Sequence, residues 1–162
     1  MLRKFHALPG LFAVILPLQF LNVVAAQDFD NIEITATQVT DSIYMLQGSG
    51  GNIGVSVGDD GTFIIDDQFA PLTDKISAAI GELTDQSVEF VVNTHFHFDH
   101  SDGNENFGRA GAYIVAQDNS RKRMEVDHVV NGRPQPAYDK VGQPKITFFD
   151  AMRFYFNGHT ID

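Results

Sequence analysis

The sequence predicts an α/β fold, and three observations support this class. First, β-rich runs and helical patterns alternate along residues 27–162. Second, the segment APLTDKISAAIGEL repeats its apolar residues with the period of a helix. Third, the β-rich run SVEFVVN leads directly into a polar loop that contains three histidines. Because α/β folds build their sites at the carboxyl ends of strands, this loop is the predicted location of the chemistry.

Length and composition are those of one globular domain. The chain has 162 residues, of which 43% are hydrophobic and 20% are charged, and it contains no cysteine. A chain of this length can bury a hydrophobic core, and its folding cannot depend on disulfides. The formal net charge of −10 argues against nucleic acid as a partner, because phosphates require a positive surface.

The first 26 residues predict a secretory signal peptide. Arg3 and Lys4 precede an apolar run, and the small residues after that run provide a cleavage site after Ala26. Removal of this segment would shift the net charge from −10 to −12. A retained membrane anchor is the alternative, and it needs about 20 consecutive apolar residues. Five residues interrupt the run here, namely Pro9, Gly10, Pro17, Gln19 and Asn22.

We therefore expect residues 27–162 to form the mature domain, with no stable membrane anchor after cleavage. An export signal on an acidic chain without cysteine suits a bacterial periplasm, so the expected location is periplasmic or secreted.

The first strands and the first helix follow from local patterns. IEITATQV and SIYMLQG are β-rich, and NIGVSVGDDGTFIIDD predicts a hairpin that turns at Asp59-Asp60-Gly61, where glycine readily adopts a positive φ. The segment GSGG (Gly48–Gly51) lacks the lysine and the spacing of a nucleotide-binding loop, and we interpret it as a turn. Pro71 lies near the start of the helical period, which comprises Leu72, Ile76, Ala79, Ile80 and Leu83.

The rest of the chain shows three further patterns. AYIVAQD predicts a strand, and NSRKRMEV predicts a helix with Asp118 or Asn119 as its N-cap. NGRPQPAYDKVGQP predicts a proline-rich loop. KITFFDAMRFYFNGHTID predicts a strand, a turn at Asp150-Ala151 and a second strand.

The polar loop THFHFDHSDGN concentrates metal-ligating residue types. His95, His97 and His100 are three of only six histidines in the chain, and Asp99 lies among them. Alternate residues of an extended segment share a face, so His95 and His97 can bind one ion. Asp99 and His100 can approach a second ion where the strand bends, and all four offer donor atoms that zinc accepts. A surface loop or a set of core histidines does not explain this spacing.

The loop and its surroundings resemble the metallo-β-lactamase superfamily. THFHFDHSDGN looks like the signature of that superfamily, and TFIIDDQF resembles the strand and aspartate that precede it there. The similarity covers roughly residues 39–162, and NIGVSVGDDGTFIIDDQFAPLTDKI and FNGHTID look most like secreted bacterial members. The resemblance implies an αβ/βα sandwich, of which this chain would be the N-terminal half.

The resemblance also implies roles for individual residues. It places His95 and His97 on one zinc ion, and Asp99 and His100 on or near another. Asp99 is also the predicted catalytic residue. Asp66 would steady the site by hydrogen bonds, and an aspartate that merely ends a hairpin is the alternative interpretation of that residue. Metal-bound hydroxide attacks a carbonyl in such enzymes, so the resemblance implies a zinc-dependent hydrolase with a small-molecule substrate.

The chain differs from the superfamily downstream of the motif. Complete members draw two further histidines and a bridging aspartate from their second half. Here only His128 and His159 lie downstream, and we interpret them as a surface or helix-end histidine and a strand-end histidine. The sequence is therefore expected to be partial, and the 162-residue chain to be inactive alone, because the motif supplies only two ligands per ion. Four residues of the inner sheet face would be exposed, namely Phe63, Ile65, Phe90 and Val92.

Three functions are compatible with these residues. The preferred prediction is that the substrate is the amide of a β-lactam. Thioesters, lactones or other esters are the alternative within the superfamily, because the fold does not select the substrate. A periplasmic metal-binding protein without turnover is the hypothesis from a different class.

Overall fold

The computed structural model describes residues 28–162. The predicted signal peptide and its cleavage site after Ala26 lie outside the described residues. Within residues 28–162, no helix combines the length and the apolar character that crossing a membrane requires.

The main element is a seven-stranded sheet with the order β1-β2-β3-β4-β5-β6-β9. Strands β1 to β4 form an antiparallel meander, whereas β4, β5, β6 and β9 pair in parallel. The parallel half requires crossover connections, so the predicted α/β class is confirmed. The strands of this sheet are β1 (Thr35–Gln38), β2 (Ile43–Gln47), β3 (Ile53–Gly58), β4 (Gly61–Ile65), β5 (Val88–Asn93), β6 (Tyr113–Gln117) and β9 (Ile146–Phe148).

The hairpin predicted between β3 and β4 is confirmed. Gly58 pairs with Gly61, which leaves Asp59 and Asp60 as a two-residue turn. Gly61 has a φ of 114°, a conformation that glycine adopts without a steric penalty. The hairpin directs β4 towards its parallel partner β5, so both strands end at the same edge of the sheet.

Helices cover one face of the sheet. A 3-10 turn at Ala70–Leu72 leads into α1 (Thr73–Gly81), which connects β4 to β5. Helices α2 (Phe98–Ser101) and α3 (Asn104–Ala110) connect β5 to β6, and α4 (Asp118–Met124) follows β6. The helical period predicted for α1 is confirmed, because its apolar side packs on the sheet. Fully buried members of this core include Leu72, Ile76, Ile64, Val91 and Ile114, each of which stabilises the fold by roughly 1.5–3 kcal/mol.

The N-cap predicted for α4 is wrong. The cap is Gln117, whose side-chain oxygen accepts a hydrogen bond from the Asn119 N–H. Gln117 is also the last residue of β6, and its backbone is extended, with φ −64° and ψ 145°. The strand continues directly into the helix, so no residue between them is free to serve as the cap. Asp118 is therefore the first helical residue.

The opposite face of the sheet is partly covered by a small hairpin, β10 (Phe154–Phe156) and β11 (His159–Ile161). The rings of Phe154 and Phe156 lie 5.0 and 5.7 Å from that of Phe63, centroid to centroid. Phe63 is only 2% exposed as a result. The prediction that Phe63 would be stranded in water is therefore wrong.

The other three residues of that face are less well covered. Phe90 and Val92 are half-buried, and Ile65 remains 37% exposed. Phe90 also lies beneath the hairpin, 5.5 Å from the Phe154 ring. The hairpin thus covers the middle of this face and leaves the end of β4 open.

The turn predicted at Asp150-Ala151 does not form the hairpin. The chain reverses instead at Asn157 and Gly158, which have φ values of 52° and 75°. Asparagine followed by glycine is the preferred pair for a two-residue turn with positive φ at both positions. The Asn157 side chain also accepts from the Asp60 N–H, and the Asn157 N–H donates to the Asp60 carboxylate. These two bonds attach the hairpin to the turn between β3 and β4.

The segment predicted as a proline-rich loop also contains a hairpin. Strands β7 (His128–Val130) and β8 (Arg133–Gln135) pair across a turn at Asn131 and Gly132, where φ is 52° and 77°. Pro134 is compatible with this hairpin because its strands belong to a two-stranded sheet, where proline at an edge is tolerated. The hairpin brings its last residue, Gln135, to the histidine motif.

Candidate metal centre

The histidine motif occupies the bend between β5 and α2. Strand β5 ends at Asn93 and α2 begins at Phe98, so the four residues between them change the direction of the chain. The His97 carbonyl accepts hydrogen bonds from the N–H groups of His100 and Ser101, at 2.9 and 3.1 Å. This first helical turn brings the end of the motif back towards its beginning. The motif thus lies at the carboxyl end of a parallel strand, where α/β folds place their sites.

Three of the four predicted ligands converge at this bend. The donor atoms of His95, Asp99 and His100 all lie within 4.8 Å of one another. His100 Nε2 is 3.5 Å from Asp99 Oδ2. His97 is not a member of this trio, although its ring centroid is 4.8 Å from that of His95. Three candidate ligands are therefore grouped together, with His97 beside them, whereas the sequence predicted two pairs of ligands, one for each of two ions.

Asp66 orients the ring of His100. Its Oδ2 is 2.8 Å from His100 Nδ1, and its carboxylate also accepts from the N–H and the hydroxyl of Thr94. A carboxylate only accepts hydrogen bonds, so Nδ1 of the His100 ring carries a proton, and Nε2 faces Asp99. Asp66 is 3% exposed and has a φ of 64°, which is uncommon for a residue with a side chain. These contacts are compatible with the role predicted for Asp66, which is to steady a metal site by hydrogen bonds. That role stays a prediction.

His95 is held in its neutral form. Partial burial lowers the pKa of its imidazole, and the neighbouring His100 and His97 lower it further. Asp66 and Asp99 act in the opposite direction but do not reverse the shift. Neutral imidazole is the form that binds a metal ion, so the lowered pKa favours ligation near neutral pH.

The donor types of the trio fit a zinc ion, and one of its distances matches the spacing of two zinc ligands. Two imidazole nitrogens and a carboxylate oxygen are a common zinc donor set. Donors placed about 2.1 Å from a tetrahedral ion are about 3.4 Å apart. The 3.5 Å between His100 Nε2 and Asp99 Oδ2 matches that spacing. The donor of His95 lies within 4.8 Å of the other two donors, a looser spacing that would have to contract when an ion binds. These three residues would therefore hold the ion.

A buried hydrogen-bond network that the sequence did not predict holds the backbone of the histidine motif. The Ser101 hydroxyl donates to the His97 carbonyl at 2.9 Å and lies 3.0 Å from the Tyr138 hydroxyl. The Gln135 amide donates to the Phe96 carbonyl at 2.7 Å and to the Tyr138 hydroxyl at 3.2 Å. Burial raises the pKa of Tyr138, which keeps its hydroxyl protonated. Both Gln135 and Tyr138 come from the segment predicted to be a proline-rich loop.

Asp67 follows β4 and ties that edge of the sheet to the C-terminal end of α2. Its N–H donates to the His100 carbonyl at 2.9 Å, and its Oδ1 accepts from the Gly103 N–H at 3.0 Å. Complete burial raises the pKa of this carboxyl well above its ordinary value, and the hydrogen bond from Gly103 only partly opposes that shift. Asp66 and Asp102 raise the pKa further by charge repulsion. The two adjacent aspartates thus have different tasks, since the Asp66 carboxylate binds the His100 ring and Thr94, whereas the Asp67 carboxylate binds the backbone at Gly103.

Neither downstream histidine belongs to the trio, although the His128 ring is 5.6 Å from that of Phe96 in the motif, centroid to centroid. His128 begins β7, and its Nε2 is 2.7 Å from the Arg123 carbonyl near the end of α4. His159 begins β11, and its Nε2 is 2.6 Å from the Ser42 hydroxyl. These positions agree with their interpretation as a helix-end and a strand-end histidine.

Comparison with known proteins identifies the fold. No protein-family model and no curated protein matches the sequence. The structure is similar to BJP-1, a subclass B3 metallo-β-lactamase of Bradyrhizobium japonicum, with a TM-score of 0.66 and 20% identity over 79% of this chain and 50% of that one. The FEZ-1 metallo-β-lactamase from Legionella gormanii gives a TM-score of 0.68 and 15% identity over 79% and 51% of the two chains.

A third similar structure is MEM-A1, a subclass B3 metallo-β-lactamase isolated from a soil metagenome library. Its TM-score is 0.66, with 20% identity over 80% of this chain and 52% of that one. The chain therefore spans about half the length of the solved structures it matches. At these identities the similarity establishes the fold alone. Over the part that it covers, the chain has the metallo-β-lactamase fold, as the resemblance implied.

Proposed function

We propose that this chain carries the metal-binding part of a zinc-dependent hydrolase that cleaves the amide bond of a β-lactam. The observation that carries the proposal is the trio of His95, Asp99 and His100, with His100 oriented by the buried Asp66. The similarity to BJP-1, FEZ-1 and MEM-A1 supports it, because those proteins are metallo-β-lactamases.

Each residue of the site has a defined task under this proposal. A bound zinc ion would lower the pKa of a coordinated water to about 7 and would polarise a carbonyl group. His95 and His100 would each present a nitrogen to the ion, and the hydrogen bond from Nδ1 to Asp66 would leave Nε2 of His100 for it. The Asp99 side chain is 37% exposed, so one of its oxygens can bind the ion while the other accepts a proton or a hydrogen bond from a small-molecule substrate. Asp99 is therefore the proposed catalytic residue.

Two alternatives differ in what they predict for turnover. A thioester, a lactone or another ester would use the same residues, because attack on a carbonyl is common to all of these substrates. A non-catalytic metal-binding protein would bind zinc at the same trio and would hydrolyse none of them.

The test titrates the protein with zinc in a calorimeter and assays it against the β-lactam nitrocefin, using the full product of its reading frame. We expect zinc binding and, where that product supplies the second half of the fold, hydrolysis of nitrocefin. Hydrolysis of thioesters or lactones in its place would assign the alternative substrate class. Zinc binding without turnover on any of these substrates would favour the metal-binding protein, and absence of zinc binding would contradict the proposal.

We also propose that the protein is exported and loses residues 1–26. The proposal is supported by the order of basic, apolar and small residues at the N-terminus. Expression in a Gram-negative host should give a product that begins at Gln27 and is found in the periplasmic fraction. A product that retains Met1 and sediments with membranes would show instead that the segment is an anchor.

A further inference from the structure

The glycine-rich segment Gly48–Gly51, called here the glycine loop, lies directly against the trio. The Gly51 N–H donates to the Asp99 carbonyl at 3.4 Å. A Cβ atom on Gly50 would be 2.9 Å from that carbonyl and 3.1 Å from Asp99 Cβ. A Cβ atom on Gly51 would be 2.4 Å from Cε1 and 3.0 Å from Nε2 of His100. The loop therefore leaves no room for a side chain beside either Asp99 or His100.

Glycine is required at position 51 because the His100 ring occupies the space of a side chain, and not because the backbone there has an unusual conformation. Gly50 has a φ of 89°, whereas Gly51 is outside the left-handed region. Alanine could therefore adopt the backbone of Gly51, and the three atoms nearest to its added Cβ all belong to the His100 ring. That ring cannot retreat freely, because its Nδ1 is bonded to Asp66 at 2.8 Å. The His100 imidazole is thus in contact with the glycine loop on one side and hydrogen-bonded to the Asp66 carboxylate on another.

Gln68 holds the glycine loop in this position. Its side chain is fully buried, and its Nε2 donates to the Gly51 carbonyl. The backbone carbonyl of Gln68 accepts hydrogen bonds from the N–H groups of Asp102 and Gly103, at 3.0 and 3.3 Å. Both of these residues follow α2 directly. Gln68 also has a φ of 56°, which residues other than glycine adopt rarely. A single residue in an uncommon conformation therefore joins the loop to the helix of the motif.

We propose that Gly51 and Gln68 are positioning residues for His100. The glycine loop, fixed by the Gln68 amide, and Asp66 together hold the imidazole so that Nε2 faces Asp99. The consequence for zinc rests on the function proposed above, whereas the orientation of the ring is a property of the protein without metal. Neither residue needs to touch a metal ion or a substrate for this role.

The test uses the variants Gly51→Ala and Gln68→Met. The matched controls are Gly81→Ala, where an added Cβ meets no atom within 4 Å, and Gln47→Met, whose side chain is exposed. Long-range ¹H–¹⁵N NMR of the metal-free protein reports which His100 nitrogen carries the proton, and calorimetry reports zinc affinity. We expect Gly51→Ala to lose the single Nδ1–H form and to bind zinc about 10- to 100-fold more weakly. Gln68→Met should act in the same direction, and both controls should match the wild type.

Two results would overturn the inference. One is that both variants keep the wild-type His100 signals and zinc affinity. The other is that both variants fail to fold, as judged by circular dichroism, because the two residues would then serve the fold and not the site. If one variant fails to fold, the other decides. A wild-type protein that binds no zinc would contradict the proposed function, and the NMR of the metal-free variants would still decide this inference.

Discussion

Replacement of His100 by alanine is expected to lower the zinc affinity of the protein by more than about 100-fold. Loss of a residue that only orients a ligand costs 10- to 100-fold, and loss of a ligand costs more. His100 is the best-defined ligand of the trio, since Asp66 fixes its ring and its Nε2 is 3.5 Å from Asp99 Oδ2. Without it, the ion would keep one imidazole and one carboxylate, fewer than the three protein ligands that zinc sites require. Competition with a zinc chelator measures the loss.

The other histidines supply the controls for this experiment. His159→Ala should leave the affinity unchanged, because that ring lies 2.6 Å from the Ser42 hydroxyl and is not a member of the trio. His97→Ala should weaken binding less than His100→Ala, because His97 lies beside His95 without belonging to the trio. An equal loss for His97 and His100 would instead support the two pairs of ligands implied by the resemblance. Unchanged affinity in His100→Ala would contradict the proposed metal centre.

The ligand types of the candidate site could be predicted from sequence, but their grouping could not. Residue identity and spacing within THFHFDHSDGN mark His95, Asp99 and His100 as candidates. Their grouping depends on where the strand stops, because α2 begins at Phe98 and replaces the alternation of a strand with the rotation of a helix. The supporting contacts of Gly51 and Gln68 come from other segments of the chain. No local pattern connects residues that meet only in the folded protein.

The elements that the sequence patterns did not predict are short and carry weak periodic signals. Strands β7 and β8 were not predicted, and β10 and β11 lie within what the sequence predicted as one strand. Each of the four has three residues, too few for an alternation of apolar and polar residues to define its ends. A usable signal is nevertheless present. Both hairpins turn at an asparagine followed by a glycine, at Asn131 and at Asn157, and both asparagines have positive φ. This dipeptide is the strongest short-range indication of a hairpin, and in this chain it outweighs the neighbouring proline residues and the aromatic run.

Phe63→Ala is expected to destabilise the protein by about 3–5 kcal/mol, which is the usual loss for a buried phenylalanine. Phe63 is 2% exposed, and its ring contacts those of Phe90, Phe154 and Phe156 at centroid distances of 6.0, 5.0 and 5.7 Å. Truncation removes all three ring contacts together and leaves a cavity between the sheet and the β10–β11 hairpin. Domains are stable by only about 5–15 kcal/mol, so this loss should be large in a urea unfolding experiment.

The control for Phe63→Ala is Phe149→Ala, because Phe149 is 82% exposed and its removal should change stability by less than about 0.5 kcal/mol. Phe63→Leu should lie between the control and Phe63→Ala, since it fills part of the cavity, and it provides the measurement if the alanine variant does not fold. Hydrogen exchange should show faster opening of β10 and β11 in both Phe63 variants, because their main apolar anchor on the sheet is weakened. A Phe63→Ala protein within about 1 kcal/mol of the wild type would show that the hairpin does not pack on Phe63, and that this face of the sheet is open to water as the sequence predicts.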